Sequence, residues 1–94
     1  MITNYMIIGY GWRADFYYRI AKLLPERFSV CAGVLRTEER AKEVAHKEGV
    51  FATSDLDQAL ERKPDFAVLC VPRDVTKDYL VKLMKKGIPV LCET

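Results

Sequence analysis

The chain has 94 residues, half of them hydrophobic and 30% charged, with a net charge of +2. That is enough for one small core and far from the composition of a disordered segment. So small a charge does not by itself call for a nucleic-acid, membrane or acidic partner, and the longest strictly apolar run, "FAVLCV" at 66–71, is too short to cross a bilayer.

No basic stretch followed by a long apolar one opens the chain, so no secretion signal is read and a cytoplasmic location is expected. Cys31, Cys70 and Cys92 lack CxxC spacing and a neighbouring histidine, which argues against a metal site. Each lies in an apolar run and reads as a buried free thiol in a reducing compartment.

Apolar, β-prone runs alternate with helical patterns. "NYMIIG" (4–9) reads as a strand and 12–24 as a helix, with Trp12, Phe16, Ile20 and Leu23 on its apolar stripe and Pro25 stopping it. "FSVCAGVL" (28–35) is a second strand. Thr37 suits the N-cap of a second helix, Glu38 and Glu39 suit its first turn, and Gly49 ends it. Glu38–Lys42 and Glu43–Lys47 have the spacing of stabilising i,i+4 pairs. "VFA" (50–52) could be a short third strand, and "SDLD" (54–57) resembles a capping box ahead of a brief helix closed by Pro64. "FAVLCV" shows no alternation, as suits a parallel strand covered on both faces. A helix over 75–86 follows, with Val75, Tyr79, Leu80 and Leu83 toward the sheet and Gly87 at its end, and "PVLCE" (89–93) begins a fifth strand. Strand and helix alternating four times, then a strand, predict an α/β doubly wound parallel sheet of order 3-2-1-4-5. Such sheets usually carry a sixth strand. The chain is therefore expected to be the first part of a longer protein, with its substrate domain elsewhere.

"GYGWRA" (9–14) fits G-x-G-x-x-[GA] between a strand and a helix. Gly9 would allow the tight turn, Gly11 would let a pyrophosphate approach the backbone, and Ala14 would let the helix pack close. Free N–H groups at the helix start, those of Trp12 and Arg13, would hold the phosphates, beside Tyr10. The alternative is a sharp strand–helix turn that binds nothing.

An NAD-selective site normally has a carboxylate at the end of the second strand to hold the ribose 2′-hydroxyl. Here the run is "VLRT" (34–37), so Leu35, Arg36 and Thr37 stand at that place, with Glu38 as an alternative ribose ligand. An arginine pairs with a 2′-phosphate, so NADP is favoured over NAD, unless Arg36 is only a solvated loop residue. Ligands of open α/β sheets bind outside the strand carboxyl ends, which brings Val71, Pro72 and Arg73, then Cys92 and Glu93, to the rim. Glu93 is either a cofactor-facing group or a helix-capping or solvent-facing carboxylate. His46 and the lysines of the fourth helix read as solvated. Arg13, Tyr17, Tyr18, Arg19 and Lys22 read as packing plus a wet helix face rather than a nucleic-acid surface. No nucleophile–base set is legible, so no catalytic residue is assigned.

With these pieces in place, the whole chain resembles the N-terminal NAD(P)-binding Rossmann domain of the Gfo/Idh/MocA oxidoreductases. "IIGYGWRA", "RTEERAKEVAHKEG", "KPDFAVLCVP" and "KKGIPVLCE" carry the resemblance. The family follows its fifth strand with an E-K-P motif whose lysine lies near nicotinamide and substrate. Glu93 matches the glutamate and Thr94 stands in the lysine's place, while "PRDVT" stands where the family often has histidine or asparagine. The resemblance implies cofactor binding for this chain, with hydride transfer to or from a sugar, polyol or related metabolite left to a complete protein. The alternative is a non-catalytic NAD(P)-binding regulatory module.

Overall fold

Four consecutive side chains, Tyr5, Met6, Ile7 and Ile8, are almost wholly withdrawn from solvent. Only a central strand covered on both faces does that. The computed structural model describes residues 1–93, so Thr94, read above in the lysine's place, lies outside the described residues. The elements in order are β1 (Thr3–Gly9), α1 (Trp12–Leu23), β2 (Phe28–Val34), α2 (Glu38–Glu48), β3 (Ala52–Thr53), α3 (Leu56–Leu60), β4 (Phe66–Cys70), α4 (Arg73–Lys85) and β5 (Val90–Cys92). All pairings are parallel and the sheet order is β3-β2-β1-β4-β5, as the alternation of strands and helices predicts.

Alternate residues of the sheet feed two cores. Tyr5, Ile7 and Val68 pack with Ala14 and Tyr18 of α1 and with Ala41 and Val44 of α2. Met6, Ile8, Ala67 and Leu69 pack with Ala59 of α3 and Leu83 of α4 on the opposite face. Each large apolar side chain withdrawn in this way contributes about 1.5–3 kcal/mol. The chain order reverses at β1, whose neighbours are β2 and β4, so a crevice opens beyond the carboxyl ends of β1 and β4.

Several local expectations are corrected. The stripe of Trp12, Phe16, Ile20 and Leu23 does not face the core: Trp12, Phe16 and Leu23 are 76%, 56% and 77% exposed. Ala14 must meet the sheet for the loop before it to turn so tightly, and that rotation carries Tyr18 and Ala21, four and seven residues on, to the same side. Gly33 makes room for Tyr18, since a Cβ there would lie 2.5 Å from the tyrosine hydroxyl oxygen. The third strand is Ala52–Thr53 rather than 50–52. The N-cap of α3 is Asp55, which accepts from Asp57 N–H at 2.9 Å, while Ser54 is engaged by Glu38. Glu38 and Glu43 do not pair with Lys42 and Lys47; Glu43 pairs instead with Arg40 at 3.3 Å. Cys92 is exposed rather than buried, because β5 is an edge strand.

Among the described residues, no three His, Cys, Asp or Glu side chains gather as a metal site, and no helix is long and apolar enough to cross a membrane.

Candidate functional site

The crevice is built around one backbone contact. Gly9, last in β1, sits opposite Cys70, last in β4, with φ at +101°, and a Cβ there would lie 2.2 Å from the Cys70 carbonyl oxygen. Only glycine permits that approach with that φ. Gly11 has φ +141° and open space where a side chain would project. It offers no side-chain cap to α1, whose first backbone bond is Asp15 N–H to Gly11 O at 2.9 Å. The N–H groups of Trp12, Arg13 and Ala14 therefore precede the helical ladder, at the positive end of the helix dipole.

Two concavities flank this loop. Gly9, Tyr10, Leu35, Arg36, Val71 and Pro72 line one of about 330 Å³. Tyr10, Gly11, Trp12, Arg13, Ala14, Val71 and Glu93 meet in the other, of about 180 Å³. Thr37 and Arg73 line neither. Thr37 caps α2, its hydroxyl accepting from Arg40 N–H at 3.1 Å, and Arg73 is the exposed first residue of α4. Leu35 belongs to the core and reaches the cavity only at its wall. A groove of about 770 Å³ between α3 and α4, larger than either concavity, meets no residue of the glycine loop. Size alone does not mark a phosphate site; N–H groups ahead of a helical ladder are what such a site needs.

Residues that pattern reasoning passed over complete the larger cavity. Arg40, Ser54 and Tyr79 join its wall. Arg40 lies four residues beyond Arg36, in the first turn of α2, a proximity that could have flagged it. Glu38 does not line the cavity: it accepts the Ser54 N–H at 2.8 Å and the Ser54 hydroxyl. The Ser54 hydroxyl and N–H hold its carboxyl below the ordinary value. Burial, reinforced by the Glu93 charge, pushes the Cys70 thiol up to about 11. Cys70 is therefore a neutral thiol at pH 7 and supplies no nucleophile.

A buried carboxylate braces the loop from behind. Glu48 closes α2 with its side chain only 2% exposed. It accepts the Tyr10 hydroxyl at 2.8 Å and the Lys22 ammonium at 2.6 Å, so loop, α1 and α2 meet at one group. A glutamate next to the helix-ending Gly49 looks solvated in sequence, and no local pattern marks it. Burial works to raise its carboxyl, but the hydrogen bonds from Lys22 and Tyr10 outweigh it, and the net direction is below the ordinary 4.5. Stability from a carboxyl lowered in the folded state is fully present above 4.5 and fades as pH falls through the depressed value. Glu48→Ala is thus expected to lower stability by about 2 kcal/mol at pH 7, since it removes two hydrogen bonds to a charged group that is partnered from one exposed side. Melting temperatures across a pH series check this: the gap between variant and native chain should narrow in acid. A gap that widens below pH 4.5 would contradict it.

Residues 3–94 match a family model described as an oxidoreductase family with an NAD-binding Rossmann fold, GFO_IDH_MocA. No curated protein matches the chain by sequence. Among solved structures, an oxidoreductase from Thermotoga maritima is 26% identical, with a TM-score of 0.83 over 100% of this chain and 30% of that one. GenD2 from gentamicin A biosynthesis, in complex with NAD, is 22% identical, with a TM-score of 0.85 over 98% of this chain and 26% of that one. The WlbA dehydrogenase from Bordetella pertussis, in complex with NADH and UDP-GlcNAcA, is 16% identical, with a TM-score of 0.86 over 100% of this chain and 29% of that one. The chain thus spans less than a third of the length of each of these three.

Proposed function

Since the chain belongs to the Gfo/Idh/MocA oxidoreductases and forms their NAD-binding Rossmann domain, we propose that its crevice holds a nicotinamide dinucleotide bearing a 2′-phosphate, NADP in preference to NAD. The observation that carries this reading is the pair Arg36 and Arg40 at the wall of the larger cavity, whose described lining holds no carboxylate. The fit to a dinucleotide is otherwise that of the loop: an open face at Gly11 and free N–H groups of Trp12, Arg13 and Ala14 for the pyrophosphate. The adenosine end would lie along Leu35, Arg36, Arg40 and Pro72, and the nicotinamide end toward Val71 and Glu93. When bound, the nicotinamide supplies the hydride chemistry, and the protein supplies orientation and charge.

The substrate class proposed for a complete protein is a sugar, polyol or related metabolite. Two relatives support it by their names, one a levoglucosan dehydrogenase and one solved with UDP-GlcNAcA. The 94-residue chain alone is expected to bind without turning over. Titration of the purified chain with NADP and with NAD tests the proposal, by calorimetry and by the fluorescence of Trp12, the only tryptophan. Tighter NADP binding supports it. Equal or tighter NAD binding removes the 2′-phosphate preference, and failure of both dinucleotides to bind removes the reading altogether.

A further inference from the structure

Arg13 and Glu93 come from opposite ends of the chain and meet across the mouth of the smaller recess. Arg13 Nη1 donates to Glu93 Oε1 at 3.1 Å. The pair ties the first turn of α1 to the residue after β5. The guanidinium also stacks over the Trp12 ring, 4.4 Å from its centroid. Both partners line the recess together with Gly11, where the backbone is open. Half the Arg13 side chain and about a quarter of the Glu93 side chain remain exposed, so solvent screens the pair and it is weak. One bond to one carboxylate oxygen also leaves most of a guanidinium's five donors without that partner.

A pyrophosphate at the helix N-terminus carries more charge than a carboxylate and presents oxygens that a guanidinium engages two at a time. Arg13 is the second residue of α1, next to that position. Building on the dinucleotide reading, we propose that Glu93 is a stand-in anion for Arg13. Arg13 leaves it for the pyrophosphate when a dinucleotide binds, so the ion pair competes with the ligand and sets its affinity. Arg13 is then a binding residue, and Glu93 acts on the ligand through it.

The competition has a sign that a supporting contact would not have. Glu93→Gln should bind both NADP and NAD about threefold more tightly than the native chain, the scale of a screened surface pair. Arg13→Met should bind both about tenfold more weakly, from the loss of a charge-assisted phosphate contact. In the Arg13→Met background, Glu93→Gln should bring no further gain, because its effect passes through Arg13. Affinities come from calorimetry with NADP and with NAD, and melting curves establish that each variant is folded. Weaker binding by Glu93→Gln overturns the proposal, and so does a gain that persists without Arg13, which would be plain charge repulsion. If the native chain binds both dinucleotides but Glu93→Gln changes neither, the exchange fails and the cofactor reading stands. If no variant binds either dinucleotide, both fail.

Discussion

Gly9→Ala is expected to be the most damaging single substitution in the loop, lowering stability by about 3 kcal/mol. Two effects add. The residue has φ +101°, outside the range a side chain accepts without strain, and the new Cβ would press on the Cys70 carbonyl oxygen at 2.2 Å and the Cys70 carbonyl carbon at 2.8 Å. Those are backbone atoms, so no rotamer relieves the contact, and β1 must separate from β4 at its carboxyl end. A domain of this size has stability on the order of 5–10 kcal/mol, so this is a large share. The corresponding fall in melting temperature is about 15 °C. Gly11→Ala is the internal control: its φ of +141° is strained too, but nothing lies within 4 Å of the new carbon. It should lose roughly half as much. Thermal unfolding followed by circular dichroism measures both. Gly9→Ala melting within a few degrees of the native chain would mean that the strands do not approach as described.

Arg36→Ala is expected to weaken NADP binding about tenfold while changing NAD binding less than about twofold. Arg36 is exposed at the start of the loop after β2, so solvent screening keeps the effect to the lower end for a charge-assisted bond. On the proposed reading, Arg40 shares the task. Its ion pair to Glu43, at 3.3 Å, is more than half exposed on both sides, so it should yield readily to a phosphate. The double variant should therefore lose more NADP affinity than either single one, and added salt should weaken NADP binding more steeply than NAD binding. Arg36→Asp goes further, placing a carboxylate where a ribose hydroxyl can meet it, and should reverse the order of the two cofactors. Equal losses for both cofactors in Arg36→Ala would assign the arginine to the loop's stability rather than to the 2′-phosphate.

The strand order was legible because "MIIG" and "FAVLC" are continuously apolar and each helix between strands carries its own stops, such as Pro25 and Gly49. The glycine loop was legible because both glycines have positive φ, a local demand of the turn, although the space at Gly9 is set by the distant Cys70 carbonyl. What escaped depends on rotation or on distant partners. The buried face of α1 follows from Ala14 meeting the sheet, and hydrophobicity alone pointed to the wrong stripe. Glu48 is 38 residues from Tyr10 and 26 from Lys22, so nothing near it in the chain announces its burial. The pairing of Arg13 with Glu93, 80 residues apart, is invisible for the same reason. Ser54 was misplaced as a cap because its competitor, Glu38, is 16 residues away.

The contact between Gly9 and Cys70 also bears on the order in which the molecule assembles. The glycine loop lies within the first 14 residues, and β1, α1 and β2 can associate through contacts close in sequence. Yet the carbonyl that shapes the turn belongs to β4, about 60 residues later, and closing so long a loop comes at an entropic disadvantage that local pairing does not face. During synthesis, therefore, the N-terminal half should emerge and collapse with its phosphate loop still unformed. The loop should set only when β4 inserts beside β1, which makes ligand binding a late reporter of folding. In a refolding experiment, the rise of dinucleotide binding should lag the return of helical signal, although the loop proposed to hold the pyrophosphate is among the first segments made.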